Sequence, residues 1–386
     1  MLSDWWIKNG LTLAFYVIVI ALLFIYRKKF EFQGIAALKR TKFGLKFLNR
    51  FSKKHEEGIK LLGIIGIGVG FAGMIFILGY VLKGVYNLIF LPKAPATFSL
   101  VLPGVNIPGA AIHIPLWVLI PLFIVVVIHE SGHGLVAKVF KIPVKNTGIV
   151  FFGPLAGAFV EPDEKKLEAS SDVAKYSVYA AGPFANALTA GVVILLLLLV
   201  INPLTMMMVT PIGFSAAQVQ ADYPAELAGW EPGAVYTMIN GMAINSSQAL
   251  TNALSTIRPG EIVTVANATD SITIKTVENP TNPNKGYLGV IGVSTEFNIK
   301  DGFPQWIYYL VRGIYQFLFW IFTLSVGLGA FNLLPLGPVD GGRMAQLAFK
   351  RLYGEKKGHK YWANLGWILL FIIISLILIP IIKGLI

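Results

Sequence analysis

The sequence predicts a polytopic α-helical membrane protein of about six transmembrane helices, with a re-entrant β-hairpin and an inserted extracytosolic α+β domain. Three observations predict it. Of 386 residues, 55% are hydrophobic and 13% charged, and the mean hydropathy of +0.68 is too apolar for a water-soluble chain. Apolar stretches long enough to cross a bilayer recur between short loops. Residues 214–295 break that pattern with short strands and turns, among them Ala234 to Gly241, Glu261-Ile262-Val263-Thr264-Val265 and Ser271-Ile272-Thr273-Ile274-Lys275. The formal charge of +12 sits in loops between apolar spans, so it is read as topology, with no nucleic-acid partner. The absence of cysteine removes disulfides and thiolate ligands.

In chain order, residues 11–26 form a first span, with Trp5 and Trp6 ahead as interfacial anchors and Arg27, Lys28 and Lys29 behind. A signal peptide carries its positive charge in front, so this span is read as uncleaved, with the N-terminus outside. Residues 27–60 hold Lys39, Arg40, Lys42, Lys46, Arg50, Lys53 and Lys54 against Glu31, Glu56 and Glu57, the signature of a cytosolic segment. It reads as a solvated basic loop facing lipid, and the pattern also fits an amphipathic surface helix. The second span, 59–82, carries Gly63, Gly66, Gly68, Gly70 and Gly73; Gly66-x-x-x-Gly70 suits close helix packing, within the fold or between copies. A proline-rich loop follows, and the third span, 115–140, runs from outside to inside.

In its inner half stands Ile128-His129-Glu130-Ser131-Gly132-His133. In H-E-x-x-H on a helix the two imidazoles lie one turn apart on one face, where both can bind one Zn²⁺, and the Glu can take a proton from water on the metal. Each ionisable group costs about 2.5 kcal/mol or more at mid-membrane, so a structural role alone leaves that cost uncompensated. The spacing points to metal-assisted hydrolysis. With few His and no Cys, a tetrahedral site must complete its shell with oxygen.

Residues 148–160, rich in Gly and broken by Pro154, are too short to cross as a helix and suggest a strand pair or re-entrant hairpin sheltered by protein. Its edge could hold an extended peptide; a buried hairpin with no substrate role is the alternative. The fourth span, 176–201, opens with Ala181-Gly182-Pro183-Phe184-Ala185-Asn186. Counting a rise of about 1.5 Å per residue from the inner ends puts Asn186 roughly 16 Å deep, between His133 at about 12 Å and His129 at about 18 Å. Asn186 is then either a donor to a developing oxyanion or an interhelical clamp. Between Asn202 and Gln305 the acids Asp222, Glu226, Glu231, Glu261, Asp270, Glu278, Glu296 and Asp301 outnumber Arg258, Lys275, Lys285 and Lys300, which puts the inserted domain outside. Residues 306–336 are apolar and end in Asn332-Leu333-Leu334-Pro335-Leu336-Gly337-Pro338-Val339-Asp340-Gly341-Gly342. Two prolines so close break the helix, leaving irregular backbone that is tolerated where it lines a cavity. Asp340 lies on that wall and is also placed to N-cap the next helix. The last span is 361–382.

This set resembles the site-2 protease family of intramembrane zinc metalloproteases. The resemblance rests on His129-Glu130-x-x-His133, on Asn332-x-x-Pro335-x-x-x-x-Asp340-Gly341, and on Gly182-Pro183-x-x-Asn186 between them. It implies cleavage within a substrate's transmembrane helix, with one Zn²⁺ per chain held by His129, His133 and Asp340, Glu130 as general base and acid, and Asn186 steadying the oxyanion. It further implies substrate contacts at Gly182, Pro183, Asn332 and Pro335, and an active site in the cytosolic half of the bilayer. The inserted segment, with Pro224 to Gly233 and Ile239-Asn240-Gly241, resembles a PDZ domain, although Ala234 stands where Asp is common. That resemblance implies a groove for a peptide C-terminus, and a domain that admits trimmed substrates in preference to bulky ones.

The expected organisation is therefore 1–114 as two spans with a basic loop, 115–201 as the first part of the catalytic core, 202–305 as the PDZ-like domain and 306–386 as the second part of the core. The partners expected are transmembrane substrates and the lipid bilayer. A metal transporter is a weaker fit because no internal repeat is present. A non-catalytic sensor with a PDZ module leaves Glu130 unexplained.

Overall fold

The computed structural model describes residues 2–91, 97–98, 102–105, 114–280 and 282–385, with side chains described for all of these except 2–8 and 383–385. The Trp5 and Trp6 side chains and much of the proline-rich loop lie outside the described residues. The chain divides into two compact units: Met1–Leu88, Pro95–Leu197 and Gln316–Ile386 in one, Ile89–Ala94 and Leu198–Tyr315 in the other.

The first unit opens with α1 (Leu2–Ile25), β1 (Glu31–Gln33), β2 (Ala36–Thr41), α2 (Leu45–Lys54) and α3 (Glu56–Phe90). After a 3-10 turn at Leu116–Val118 come α4 (Leu119–Val139), β3 (Val144–Phe152), β4 (Leu155–Pro162), α5 (Glu164–Glu168) and α6 (Asp172–Leu196). The expected hairpin is present as β3 and β4, turning at Gly153, whose φ of +59° favours a residue without Cβ. It does not stand alone. Residues 27–60, read from sequence as a solvated loop, fold into β1, β2 and α2, and β2 pairs antiparallel with β3 from Ala36↔Phe152 to Thr41↔Thr147. The sheet order β1-β2-β3-β4 makes β4 an edge strand.

The glycines of α3 pack within the unit. A Cβ at Gly63 would meet Val136 at 3.1 Å, at Gly66 Phe184 at 3.3 Å, and at Gly70 Met344 at 2.9 Å, so these positions take the helices that carry the polar motifs. Gly68 faces open space and does not belong to that stripe. On the other side Leu61, Ile64, Ile65, Val69 and Phe76 are exposed, the inside-out arrangement of a helix in lipid.

The second unit contains α7 (Asn202–Met208), β5 (Val209–Val219), α8 (Pro224–Leu227), β6 (Met238–Ile239), β7 (Met242–Ala243), α9 (Ser247–Thr256), β8 (Ile262–Ala266), β9 (Ser271–Lys275), β10 (Val277–Asn279), β11 (Asn282–Tyr287) and β12 (Val290–Ile299). Its core is Phe214, Trp230, Tyr236, Ile239, Val263, Val265 and Ile274. The strand expected over Ala234 to Gly241 is cut to β6, because Asn240 and Gly241 take positive φ and turn the chain. β5 and β12, which pair over ten residues' length, and helix α9 were not read from the sequence.

The chain then runs through α10 (Gln305–Asn332), α11 (Asp340–Tyr353) and α12 (Glu355–Leu385). The helix breaks between Asn332 and Asp340, as the two prolines require. Among the described residues, five helices are long and apolar enough to cross a bilayer: Glu56–Phe90, Leu116–Val139, Asp172–Met208, Gln305–Asn332 and Glu355–Ile382. The stretch expected as the first span is the shorter apolar helix Asn9–Ile25.

Candidate active site

Helical spacing brings His129 and His133 onto one face of α4, their Nε2 atoms 3.2 Å apart. Asp340, the first residue of α11, sends Oδ2 to within 3.1 Å of His129 Nε2 and 3.3 Å of His133 Nε2. The helix cap is Val339, so the N-cap role open to Asp340 in the sequence is corrected: its carboxylate is on the two imidazoles. A tetrahedral zinc with ligands at about 2.0–2.1 Å requires ligand atoms about 3.3 Å apart. The three edges of this triangle meet that requirement, and His129, His133 and Asp340 form the metal-capable group among the described residues.

The remaining ring nitrogen of His133 supports the same fit. His133 Nδ1 lies 2.7 Å from the carbonyl of Val178, which can only accept, so Nδ1 carries the proton and Nε2 keeps its lone pair. His129 Nδ1 meets the Asn186 amide at 3.2 Å, and Asn186 is fully buried. Gly182 on α6 lies against both rings: a Cβ there would come within 2.6 Å of His129 Nε2. Where α4 and α6 approach, a Cβ at Gly132 would strike the Ala181 carbonyl at 2.6 Å. Glu130 Oε2 accepts a 3.0 Å hydrogen bond from the backbone N–H of Val160 on β4, which ties the carboxylate to the edge strand.

Residues 117–373 match the model of peptidase family M50. The chain belongs to that family. An uncharacterized protein of Methanocaldococcus jannaschii is 29% identical over 343 residues, covering 87% of this chain and 83% of its own length. Zinc metalloprotease RasP of Shouchella clausii is 26% identical over 200 residues, 39% of this chain and 47% of that protein. RasP of Oceanobacillus iheyensis is 25% identical over 208 residues, 41% of this chain and 49% of that protein. The match thus spans about half the length of the two RasP proteins. The sequence reading of a multi-pass membrane metalloprotease with zinc agrees with this membership.

For an M50 member, the other residues expected at the site fall differently. Asn332 spends its amide N–H on the Leu328 carbonyl, 3.0 Å away in the last turn of α10. Pro335 lies in the break before Asp340, and Pro183 sits inside α6 beside Gly182. His359 meets Gln346 at 3.2 Å and is not in the triangle. Two features escaped the sequence: the bond from Val160 to Glu130, and the brace of Arg40 on Glu161 at 3.1 Å, which links β2 to the end of β4. The Glu161 carboxyl is held below its ordinary value by the Asn146 amide and the Arg40 guanidinium. From the sequence, Lys39 and Arg40 belong to a solvated basic loop and Asn146 stands out in no way, so nothing signalled this pairing.

Proposed function

We propose that this chain is a zinc-dependent endopeptidase that hydrolyses peptide bonds within transmembrane segments of other membrane proteins. The observation that carries the reading is the His129–His133–Asp340 triangle, whose edges suit one Zn²⁺ and leave a fourth position for water. Bound there, zinc would polarise water and the scissile carbonyl. Glu130, next to His129 on α4, takes the proton from that water and passes it to the leaving amine nitrogen. Asn186 lies at Nδ1 of His129, the side of the ring away from Asp340, and we assign it to orienting that ring. The structure sets Asn186 Nδ2 against Nδ1 and leaves Oδ1 without a partner among the described residues; for Nε2 to keep its lone pair for a metal, the amide turns over so that Oδ1 accepts from Nδ1–H.

A helical peptide bond is shielded by its own hydrogen bonds, so the substrate segment unwinds and pairs with the outer edge of β4. Glu130 accepts from Val160 at that edge, which brings an added strand beside the general base. Gly182, Pro183 and Pro335 border the path, and Asn332 closes the end of α10 above the break. The inserted unit is read as a PDZ-like module on the extracytosolic side, on its acidic balance and on the turn at Asn240-Gly241. With the N-terminus outside, the motif falls in the cytosolic half of the bilayer.

The test is Glu130→Gln in the purified, reconstituted protein with a transmembrane substrate. Zinc content should stay at the parent level while cleavage falls by about 10³-fold or more. Cleavage within tenfold of the parent would overturn the assignment of the base.

A further inference from the structure

We propose that α2 is a docking surface for the headgroups of anionic phospholipids, and that its seating there steadies the catalytic helix α4 from behind. Three sectors divide α2. Leu48 and Ser52 are buried. Phe47 and Phe51 stack with ring centroids 5.5 Å apart and stay exposed, joined by Phe43 at 89% exposure, far more aromatic surface than a solvated helix would leave in water. Lys46, Arg50, Lys53 and Lys54, with Lys42 ahead of the helix, occupy the adjoining sector, all exposed and none ion-paired among the described residues. No carboxylate lies between Lys42 and His55.

α3 begins at Glu56, directly after His55, and is a helix long and apolar enough to cross the bilayer, so α2 stands at the end of a span. An aromatic sector beside a cationic one, at that depth, matches an interface where rings enter the acyl boundary and cations meet phosphate. The commitment to lipid rather than to an acidic protein rests on this position and on the exposed rings, which a soluble acidic partner does not satisfy.

The buried sector reaches the motif. A Cβ at Gly134, the residue after His133, would meet Leu48 Cδ1 at 3.0 Å and Val160 Cγ1 at 3.2 Å. Gly134 is thus held between α2 and β4, and the same Val160 gives its N–H to Glu130. A shift of α2 is felt at His133 and Glu130 through one layer of side chains. This second half rests on the metal reading; the lipid half does not.

The chain has no cysteine, so Asn49→Cys on exposed α2 takes a single environment-sensitive fluorophore. In nanodiscs, nitroxide-labelled phosphatidylglycerol is compared with nitroxide-labelled phosphatidylcholine at equal mole fraction. Quenching by the anionic lipid is expected to be at least threefold stronger. Replacing Lys46, Arg50, Lys53 and Lys54 together by Gln should bring the two lipids level, whereas Lys46→Arg, Lys53→Arg and Lys54→Arg together should behave as the parent. Equal quenching in the parent, or an unchanged preference in the Gln protein, overturns the proposal. So does a fluorescence change with polyglutamate in phosphatidylcholine discs as large as that with phosphatidylglycerol, which would make the face one for acidic polypeptide. In parallel, zinc loss to a chelator is expected to be several-fold slower in phosphatidylglycerol than in phosphatidylcholine discs, and equal in both for the Gln protein. Zinc loss insensitive to lipid in a parent that still shows the quenching preference would overturn the coupling alone; a protein that binds no zinc would overturn the metal reading and leave the quenching result intact.

Discussion

The two units solve the packing problem in opposite ways. Around the metal-capable triangle, close approach depends on missing side chains: Gly182 against the His129 and His133 rings, Gly132 against the Ala181 carbonyl, Gly70 against Met344. In the inserted unit it depends on large ones, with Phe214, Trp230 and Tyr236 within 4.8–6.2 Å of each other at ring centroids. The reason is the solvent. Lipid gives helices no hydrophobic drive to associate, so shape and backbone proximity do the work there, while water drives burial of aromatic area in the other unit. Adding one methyl should therefore be the damaging change in the first unit, and removing a ring the damaging one in the second.

Gly182→Ala is the sharpest test and should have the largest effect. Its methyl falls on the metal face of both imidazoles, so zinc affinity is expected to drop at least 100-fold while the protein stays folded by circular dichroism. Zinc bound as tightly as in the parent would break the comparison. Phe214→Ala, in the other unit, should destabilise that unit by about 3–5 kcal/mol in denaturant melts and leave zinc content at the parent level. Loss of zinc in that variant would mean that the units are not independent in the way argued.

Asn186→Leu removes the partner of His129 Nδ1 and should weaken zinc by about 10–100-fold, with Asn186→Asp, which keeps an acceptor, close to the parent in a metal titration. The smallest effect belongs to the sheet behind the site. Glu161 is held below its ordinary carboxyl value, so its stabilising contribution is present above the unfolded carboxyl pKa and is lost as pH falls through the lower folded one. Its pair with Arg40 is partly exposed, so Glu161→Gln should cost about 1 kcal/mol or less at neutral pH and flatten the acid limb of a pH–stability curve.

The parts of the metal-capable triangle were legible because they are written locally. Two imidazoles four residues apart inside an apolar span, and one carboxylate just past a proline-broken helix, are anomalies that need no tertiary knowledge to notice. The triangle's closure was not legible, since His129 and Asp340 are far apart in sequence and only the resemblance placed them together. The pairing of β2 with β3 had no local signal either: Ala36 and Ala37 are too small to mark a strand, and the basic residues around them mimic an ordinary loop. The rise count set Asn186 level with the two imidazoles and left oxyanion donor or interhelical clamp open; its contact with His129 Nδ1 had no signal, because a rise per residue gives height along a helix and says nothing about rotation around it. Gly182 was assigned to substrate, and its position against the rings follows from how α6 crosses α4, which sequence spacing does not encode.

The central claim is that His129, His133 and Asp340 hold one zinc. X-ray absorption at the zinc edge on the purified parent and on Asp340→Asn tests it most directly. The account expects two imidazole nitrogens and two oxygens at about 2.0–2.1 Å in the parent, one zinc per chain, and loss of one oxygen or of the metal in the variant. A parent shell with three or more imidazoles, or a shell unchanged by Asp340→Asn, would contradict it.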